Sequence, residues 1–233
     1  MNLLKSVFAD TLHLFYPHVC IGCSSDLVNE KNLLCLKCID DLPHTHFEQH
    51  AGNPIEKIFW GRLPITSAHS EFYFSKESLI QHLIHQLKYK NNKEVGIYLG
   101  KLMGRQILNS NRFQQIDYLI PLPLYPDKEH KRGYNQATII CNGISSAMNI
   151  PVINNNVMRL RFTETQTRKH RTERWENVEG SFVIKNESTL KGKHVLLVDD
   201  VITTGATLES CGHAIMKTGD IKLSIATLAF ATK

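Results

Sequence analysis

Two adjacent carboxylates, Asp199 and Asp200, follow the apolar run Val195-Leu196-Leu197-Val198 and precede Val201-Ile202-Thr203-Thr204-Gly205-Ala206-Thr207. An apolar run rich in branched residues, without alternation, reads as a strand buried on both faces of a parallel sheet. The acids then fall at the carboxyl end of that strand, where open α/β sheets hold their ligands. The Thr- and Gly-bearing turn after them offers hydroxyls and free N–H groups ahead of a helix, and a helix N-terminus favours phosphate. One stretch thus supplies acceptors for ribose hydroxyls or a metal, and donors for a phosphate. The plainer reading is a buried strand with a solvated acid pair and a capping Thr; the length and order of the motif favour the ligand site.

A second constellation lies near the start. Cys20-Ile21-Gly22-Cys23 and Cys35-Leu36-Lys37-Cys38 are CxxC pairs separated by eleven residues. Each pair aims two thiolates at one point, and two such knuckles complete a tetrahedron around Zn2+. Four Cys leave no open position, so the role is structural. Two disulfides are the alternative, which a reducing compartment disfavours. Gly22 suits the tight knuckle turn. His18, His44, His46 and His50 read as surface residues, because four thiolates already saturate the ion.

Composition bounds the rest. The chain has 233 residues, 42% hydrophobic and 21% charged, with a formal charge of +5. That suits one medium domain plus a small module, and permits a polyanionic partner without requiring one. Leu3, Leu4, Val7, Phe8, Leu12, Leu14 and Phe15 are interrupted by Asp10 and His13, the spacing of an amphipathic helix rather than an export signal. No run approaches the roughly 18 apolar residues that span a bilayer. The expected location is the cytoplasm, without membrane insertion.

The elements that must position these groups follow from periodicity. Residues 1–45 read as an N-terminal helix with the Cys module, and 46–233 as one α/β domain. Residues 41–57 read as a polar linker, and Ile58 to Phe74 as two strands parted by Pro64. Helices are expected over Lys76–Lys88 and Glu94–Leu108; in the second, Gly96, Gly100 and Gly104 predict close packing against a strand. Asp117–Leu124 reads as a strand. The loop Tyr125–Gln136 carries Lys128, Lys131 and Arg132 before Gly133, a pattern suited to a diphosphate, although taken alone it is better read as a charged, solvated connection. A helix from Ala137 to Met148 places Cys141 in the core. Short strands are expected at Val157–Leu160 and Ser181–Ile184. Between them, six Arg or Lys face two Glu from Arg159 to Arg174. Trp175 closes that loop, either as a packed anchor or as an aromatic that stacks a base among cations. A helix from Thr207 to Thr218, capped by Gly219, and a strand Ile221–Ala231 complete an alternation of strands and helices. It predicts a mostly parallel sheet with helices on both faces.

Taken together, these motifs resemble the ComF family of type I phosphoribosyltransferase-like proteins. The resemblance rests on the four-cysteine module, Lys88-Tyr89 before the Gly-spaced helix, Ile120-Pro121-Leu122-Pro123-Leu124, and Arg132-Gly133-Tyr134-Asn135-Gln136-Ala137. It continues through Arg159-Leu160-Arg161, Thr165-Gln166, Arg174, Asn177 and Val198 to Thr207, and so covers nearly the whole chain. Tyr134 stands where the family often has Phe.

The resemblance implies a type I phosphoribosyltransferase fold with a small N-terminal four-cysteine zinc-ribbon module, and a site for PRPP (5-phosphoribosyl 1-diphosphate). Asp199 and Asp200 would take the ribose hydroxyls. Val201 and Thr203, Thr204, Gly205, Ala206 and Thr207 would wrap the 5-phosphate, and Lys128, Lys131 and Arg132 would lie at the diphosphate. Mg2+ would bridge diphosphate and ribose oxygens. Residues 161–177 would close over the site, with Arg161 and Arg174 among the basic residues that stabilise the leaving diphosphate. The family's role in natural transformation implies single-stranded DNA, with Arg168, Lys169, Arg171 and Trp175 as candidate contacts, and competence or recombination proteins as partners. Three functions remain open: a transferase with an unknown acceptor, a single-stranded DNA-binding adaptor, and a PRPP sensor without turnover.

Overall fold

The strand that carries the acid pair lies inside a four-stranded parallel sheet. The computed structural model describes residues 18–26, 28, 32–160 and 181–231; the expected N-terminal helix and the loop 161–177 lie outside them. The strands are β1 (Ser67–Phe74), β2 (Tyr118–Pro121), β3 (Val157–Arg159), β4 (Phe182–Ile184), β5 (His194–Ile202) and β6 (Lys222–Ala231). The helices are α1 (Leu36–Asp40), α2 (Pro54–Phe59), α3 (Leu79–Tyr89), α4 (Lys93–Leu108), α5 (Pro126–Arg132), α6 (Gln136–Met148) and α7 (Ala206–Met216).

The sheet order is β1-β6-β5-β2, all parallel, and β3 and β4 form a separate antiparallel pair. β5 is flanked on both sides, with Val198 opposite Pro121 of β2 and Ala226 of β6. Val195, Leu196, Leu197 and Val198 are completely buried, which accounts for their continuous apolarity. Residues of α3, α4 and α6 pack with Leu196 and Val198 in one core, and residues of α2 and α7 pack with Val195 and Leu197 in another. Helices thus cover both faces.

The connections decide where a ligand fits. After α6, Val152 pairs in parallel with Leu119 on β2, the strand at the end of the sheet order. The chain therefore leaves β2 in the direction away from β5. From β5 it passes through α7 to β6 on the other side. α6 and α7 lie on opposite faces, as right-handed crossovers in opposite directions require. β2 and β5 are neighbours whose following connections diverge. This is a topological switch point, and the crevice outside their carboxyl ends is where such sheets bind ligands.

Several local expectations are corrected. Residues 41–57 are not a linker and Ile58 does not open a strand. Asn53 accepts hydrogen bonds from the N–H groups of Ile55 and Glu56, Pro54 fills the first helical turn, and α2 buries Ile55 and Phe59. A side-chain cap followed by Pro is a helix start, which the polar composition of the stretch concealed. Upstream, the Tyr73 N–H donates to the Pro43 carbonyl at 2.8 Å and the Thr45 N–H to that of Glu71 at 3.0 Å, which covers the outer edge of β1. His44 is held there rather than lying free at the surface. Its ring is 2.8 Å from the buried Glu71 carboxylate, which His69 reaches from its own strand at 2.9 Å. Burial pushes the Glu71 carboxyl up, but the hydrogen bonds from His44 and His69 outweigh it and hold Glu71 below the usual range.

The Gly96-Gly100-Gly104 ridge packs on a helix, not a strand. A Cβ on Gly100 would lie 2.3 Å from the Ile140 carbonyl oxygen, and one on Gly104 would lie 3.0 Å from the Ala147 Cβ. Residues four apart form one ridge, and without side chains that ridge becomes a groove for the backbone of α6. The loop Tyr125–Gln136 contains α5, started by Pro126 and ended by Gly133 at φ 82°. At the other end of the fold, α7 is capped by Lys217, with Gly219 beyond it at φ 126°. Among the described residues, no helix is long and apolar enough to cross a membrane.

Candidate functional site

The four module cysteines converge. The Sγ atoms of Cys20, Cys23, Cys35 and Cys38 all lie within 4.8 Å of one another, and those of Cys23 and Cys35 are 3.7 Å apart. All four are free thiols. Disulfide sulfurs stand about 2 Å apart, whereas four sulfurs at about 2.3 Å from a central Zn2+ stand about 3.8 Å apart. The spacing therefore fits a shared ion and not a pair of bridges.

The surroundings of the cysteines shift two of the thiols in opposite directions. Burial pushes the Cys20 thiol up, but N–H groups of Cys35, Cys23 and Gly22 outweigh it and bring it down to about 6. Burial pushes Cys38 upward, and the neighbouring thiols that would share an ion reinforce this. Gly22 serves close packing: a Cβ there would lie 2.7 Å from Leu79 and 2.9 Å from the Cys38 sulfur. The His82 ring meets the Ile21 carbonyl at 3.0 Å, so the knuckles rest directly on α3.

The acid pair sits at the switch point. Pairing between β2 and β5 extends to the bond from the Leu122 N–H to the Val198 carbonyl, and Asp199 and Asp200 follow immediately. Asp199 Oδ1 accepts the N–H of Asp200 at 2.8 Å. Burial, reinforced by the Asp200 charge, pushes the Asp199 carboxyl up to about 8 against the opposing influence of that N–H, Lys88 and Arg159. Asp200 is buried, and its Oδ2 lies 2.8 Å from the ammonium of Lys88 at the end of α3.

The turn after the acids lies open at the surface. Thr203, Thr204 and Ala206 are exposed. Gly205 adopts φ 73° as the N-cap of α7 and carries no side chain to occupy the first-turn N–H groups. A Cβ there would lie 2.7 Å from Ile58 of α2, so both the conformation and the packing require glycine. Arg62 braces the turn from behind: it donates to the Thr204 carbonyl at 3.1 Å and to Glu209 of α7 at 3.2 Å.

On α5, the helix that follows β2, Lys128 and Lys131 are exposed, while Arg132 is half-buried. Arg132 bonds to Gln136, and its guanidinium lies 5.8 Å from the Tyr89 ring centroid. The residues after it are anchors. The Tyr134 hydroxyl donates to the Leu87 carbonyl, and Asn135 donates to the Leu122 carbonyl at 2.9 Å while capping α6. Arg159 of β3 stacks 3.9 Å from the Tyr125 ring centroid, at the entry to α5.

Asp199 and Asp200 thus lie near the carboxyl end of β5 with Thr203 to Thr207 following it, and Lys128, Lys131 and Arg132 lie on α5, which follows β2. Arg161, Arg168, Lys169, Arg171, Arg174 and Trp175 lie outside the described residues. Three contributors escaped the residue-by-residue reading. Lys88 and Arg159 were visible only as parts of motifs, and Arg62 carried no signal because its partners are 142 and 147 residues away in sequence.

Comparison with known proteins agrees with this architecture. Residues 132–233 match the family described as phosphoribosyl transferase domain. The chain is 31% identical over 235 residues to competence protein F of Haemophilus influenzae, covering 93% of this chain and 99% of that protein. It is 28% identical to the DNA utilization protein YhgH of Escherichia coli K12, covering 86% of this chain and 85% of that one. Competence protein ComFC of Bacillus subtilis is 35% identical over 101 residues, covering 43% and 39% of the two chains. With a relative of this identity matched along almost its full length, a four-cysteine cluster and a switch-point acid pair in a parallel sheet, the chain belongs to the ComF family of phosphoribosyltransferase-like proteins.

Proposed function

We propose that the chain binds PRPP with Mg2+ at the carboxyl ends of β2 and β5 and transfers its phosphoribosyl group to an acceptor during the handling of incoming DNA. The observation that carries this reading is the continuity of Asp199-Asp200 with the Gly205 turn and the N-terminus of α7, whose N-cap Gly205 has no side chain to accept from it. Carboxylates there accept hydrogen bonds from ribose hydroxyls, and the turn donates to a phosphate one ribose away. In this reading Lys128, Lys131 and Arg132 of the helix after β2 take the opposite end of the ligand. Mg2+ bound with the substrate would supply charge neutralisation for the leaving diphosphate.

The DNA context rests on the relatives named for competence and DNA utilization. Single-stranded DNA is the partner this reading expects, with Arg168, Lys169, Arg171 and Trp175 as its contacts and competence or recombination proteins alongside. The four-cysteine cluster holds structural Zn2+ in this reading, and the cytoplasm is the compartment in which its thiols stay reduced.

The test is calorimetry with PRPP and Mg2+ on the wild type and on Asp199→Ala/Asp200→Ala, followed by an assay of diphosphate release with single-stranded DNA present. Binding that disappears in the double variant supports the donor site, and release of diphosphate supports transfer. A wild type that binds no PRPP sinks the reading. Binding without release, with or without DNA, leaves a sensor in place of an enzyme.

A further inference from the structure

The Lys88–Asp200 contact joins the end of α3 to the acid pair of β5, two elements 112 positions apart in the chain. The ammonium is 2.8 Å from Asp200 Oδ2, but the pair does not meet hydrogen-bonding angles, so the contact is an ion pair and not a directed bond. The side chains differ in exposure: Asp200 retains 7% and Lys88 22%. The carboxylate is fixed in the strand, whereas the lysine has a flexible four-carbon stem that reaches in from the rim. Its neighbours keep the rim cationic. Lys90 is exposed beside it, and Arg132 lies over the adjacent Tyr89.

We propose that Lys88 is a donor-binding residue: its ammonium rests on Asp200 in the free protein and turns to the diphosphate of PRPP when Asp200 accepts a ribose hydroxyl. The proposal rests on the donor-site reading above and extends it to a residue outside the expected phosphate-binding segments. Two physical points support it. An ammonium is a compact point charge suited to a diphosphate at several angles, so it does not need the planar fork of an arginine. A carboxylate that gains a hydroxyl donor no longer needs the ammonium at 2.8 Å, and the diphosphate adds a stronger anion within reach of the same stem.

Three ligands separate this role from a structural one: PRPP with Mg2+, pyrophosphate with Mg2+, and ribose 5-phosphate. Ribose 5-phosphate engages the acids and the Gly205 turn but has no diphosphate. Calorimetry on Lys88→Met is expected to show PRPP weakened about tenfold or more, the scale of one charged contact to a phosphate, and pyrophosphate, which brings no ribose hydroxyl to Asp200, weakened less. Ribose 5-phosphate should stay within about threefold of wild type. Lys88→Arg, which keeps the charge, should recover most of the PRPP affinity and guards against a variant that fails to fold. Equal losses for all three ligands in Lys88→Met, or unchanged PRPP and pyrophosphate binding, overturn the proposal. A wild type that binds none of the three ligands instead overturns the donor site itself, and with it the role of Lys88.

Discussion

Gly100 and Gly143 meet backbone to backbone where α4 crosses α6. A Cβ on Gly143 would lie 2.3 Å from the Ile97 carbonyl oxygen and 2.9 Å from the Gly100 Cα. Neither neighbour is a side chain that can rotate aside, so the helices must separate to admit even a methyl group. Gly143→Ala is expected to destabilise the fold by about 1–3 kcal/mol, the scale of overpacking in a core. Gly96→Ala provides the contrast, because its nearest atoms belong to the side chains of Ile139 and Leu87. Thermal unfolding of the two variants should rank Gly143→Ala as the more damaging; equal small effects would show that the crossing tolerates separation.

The four-cysteine cluster should hold one Zn2+ per chain, readable by metal analysis of the purified protein. Its removal should reach beyond the knuckles, because Cys35 and Cys38 share a core with Ile80 and Leu83 of α3. Chelation or Cys38→Ser is expected to lower the melting temperature, whereas Cys141→Ser, deep in α6 and away from the cluster, should leave the metal in place. Full stability in a metal-free protein would contradict the structural role.

What the sequence made legible were features set by local chemistry. The continuous apolarity of Val195–Val198 announced a central strand, and the CxxC spacing announced a four-sulfur cluster. Features set by distant partners were not legible. The polar stretch around Asn53 and Pro54 reads as linker because its hydrophobic anchors, Ile55 and Phe59, are few and gain their meaning only from the far side of the sheet. The Gly96-Gly100-Gly104 ridge correctly signalled close approach, yet a spacing on one helix cannot state whether a strand or a second helix approaches. The Tyr134 and Asn135 positions, beside the basic residues of an expected ligand loop, turn out to anchor that loop to α3, to the end of β2 and to α6.

Gly205 offers a test of the proposed phosphate-binding turn. Its φ of 73° and the 2.7 Å that would separate an added Cβ from Ile58 both oppose any side chain. Gly205→Ala should cost about 1–3 kcal/mol of stability through backbone strain and weaken PRPP about tenfold or more by displacing N–H donors. Gly192→Ala is the control: it lies ahead of β5, at the end away from the acids, and its φ is 72°, but a Cβ there meets nothing within 4 Å. It should share the strain and retain most of the ligand affinity. Comparable ligand losses in both variants would argue against a phosphate at the Gly205 turn.

Asp199 gives the site a pH dependence whose sign can be worked out. Burial, with the Asp200 charge, raises its carboxyl from 3.8 to about 8. Between those values the folded protein holds a proton that the unfolded chain has released. Stability from this group is therefore greatest at the acidic end, falls as pH rises across the window, and is lost above about 8. Asp199→Asn cannot ionise, so its melting temperature relative to wild type should climb as pH rises from about 4 to about 8 and level off above that. Ligand binding should run the other way, because an ionised carboxylate is the better acceptor for ribose hydroxyls. Wild-type PRPP affinity should rise with pH through that value, and Asp199→Asn should lose this component of the rise. Melting curves of the two proteins across this range, with and without PRPP and Mg2+, measure both trends. A constant offset in stability between them would show that Asp199 is ionised throughout and that burial does not govern it.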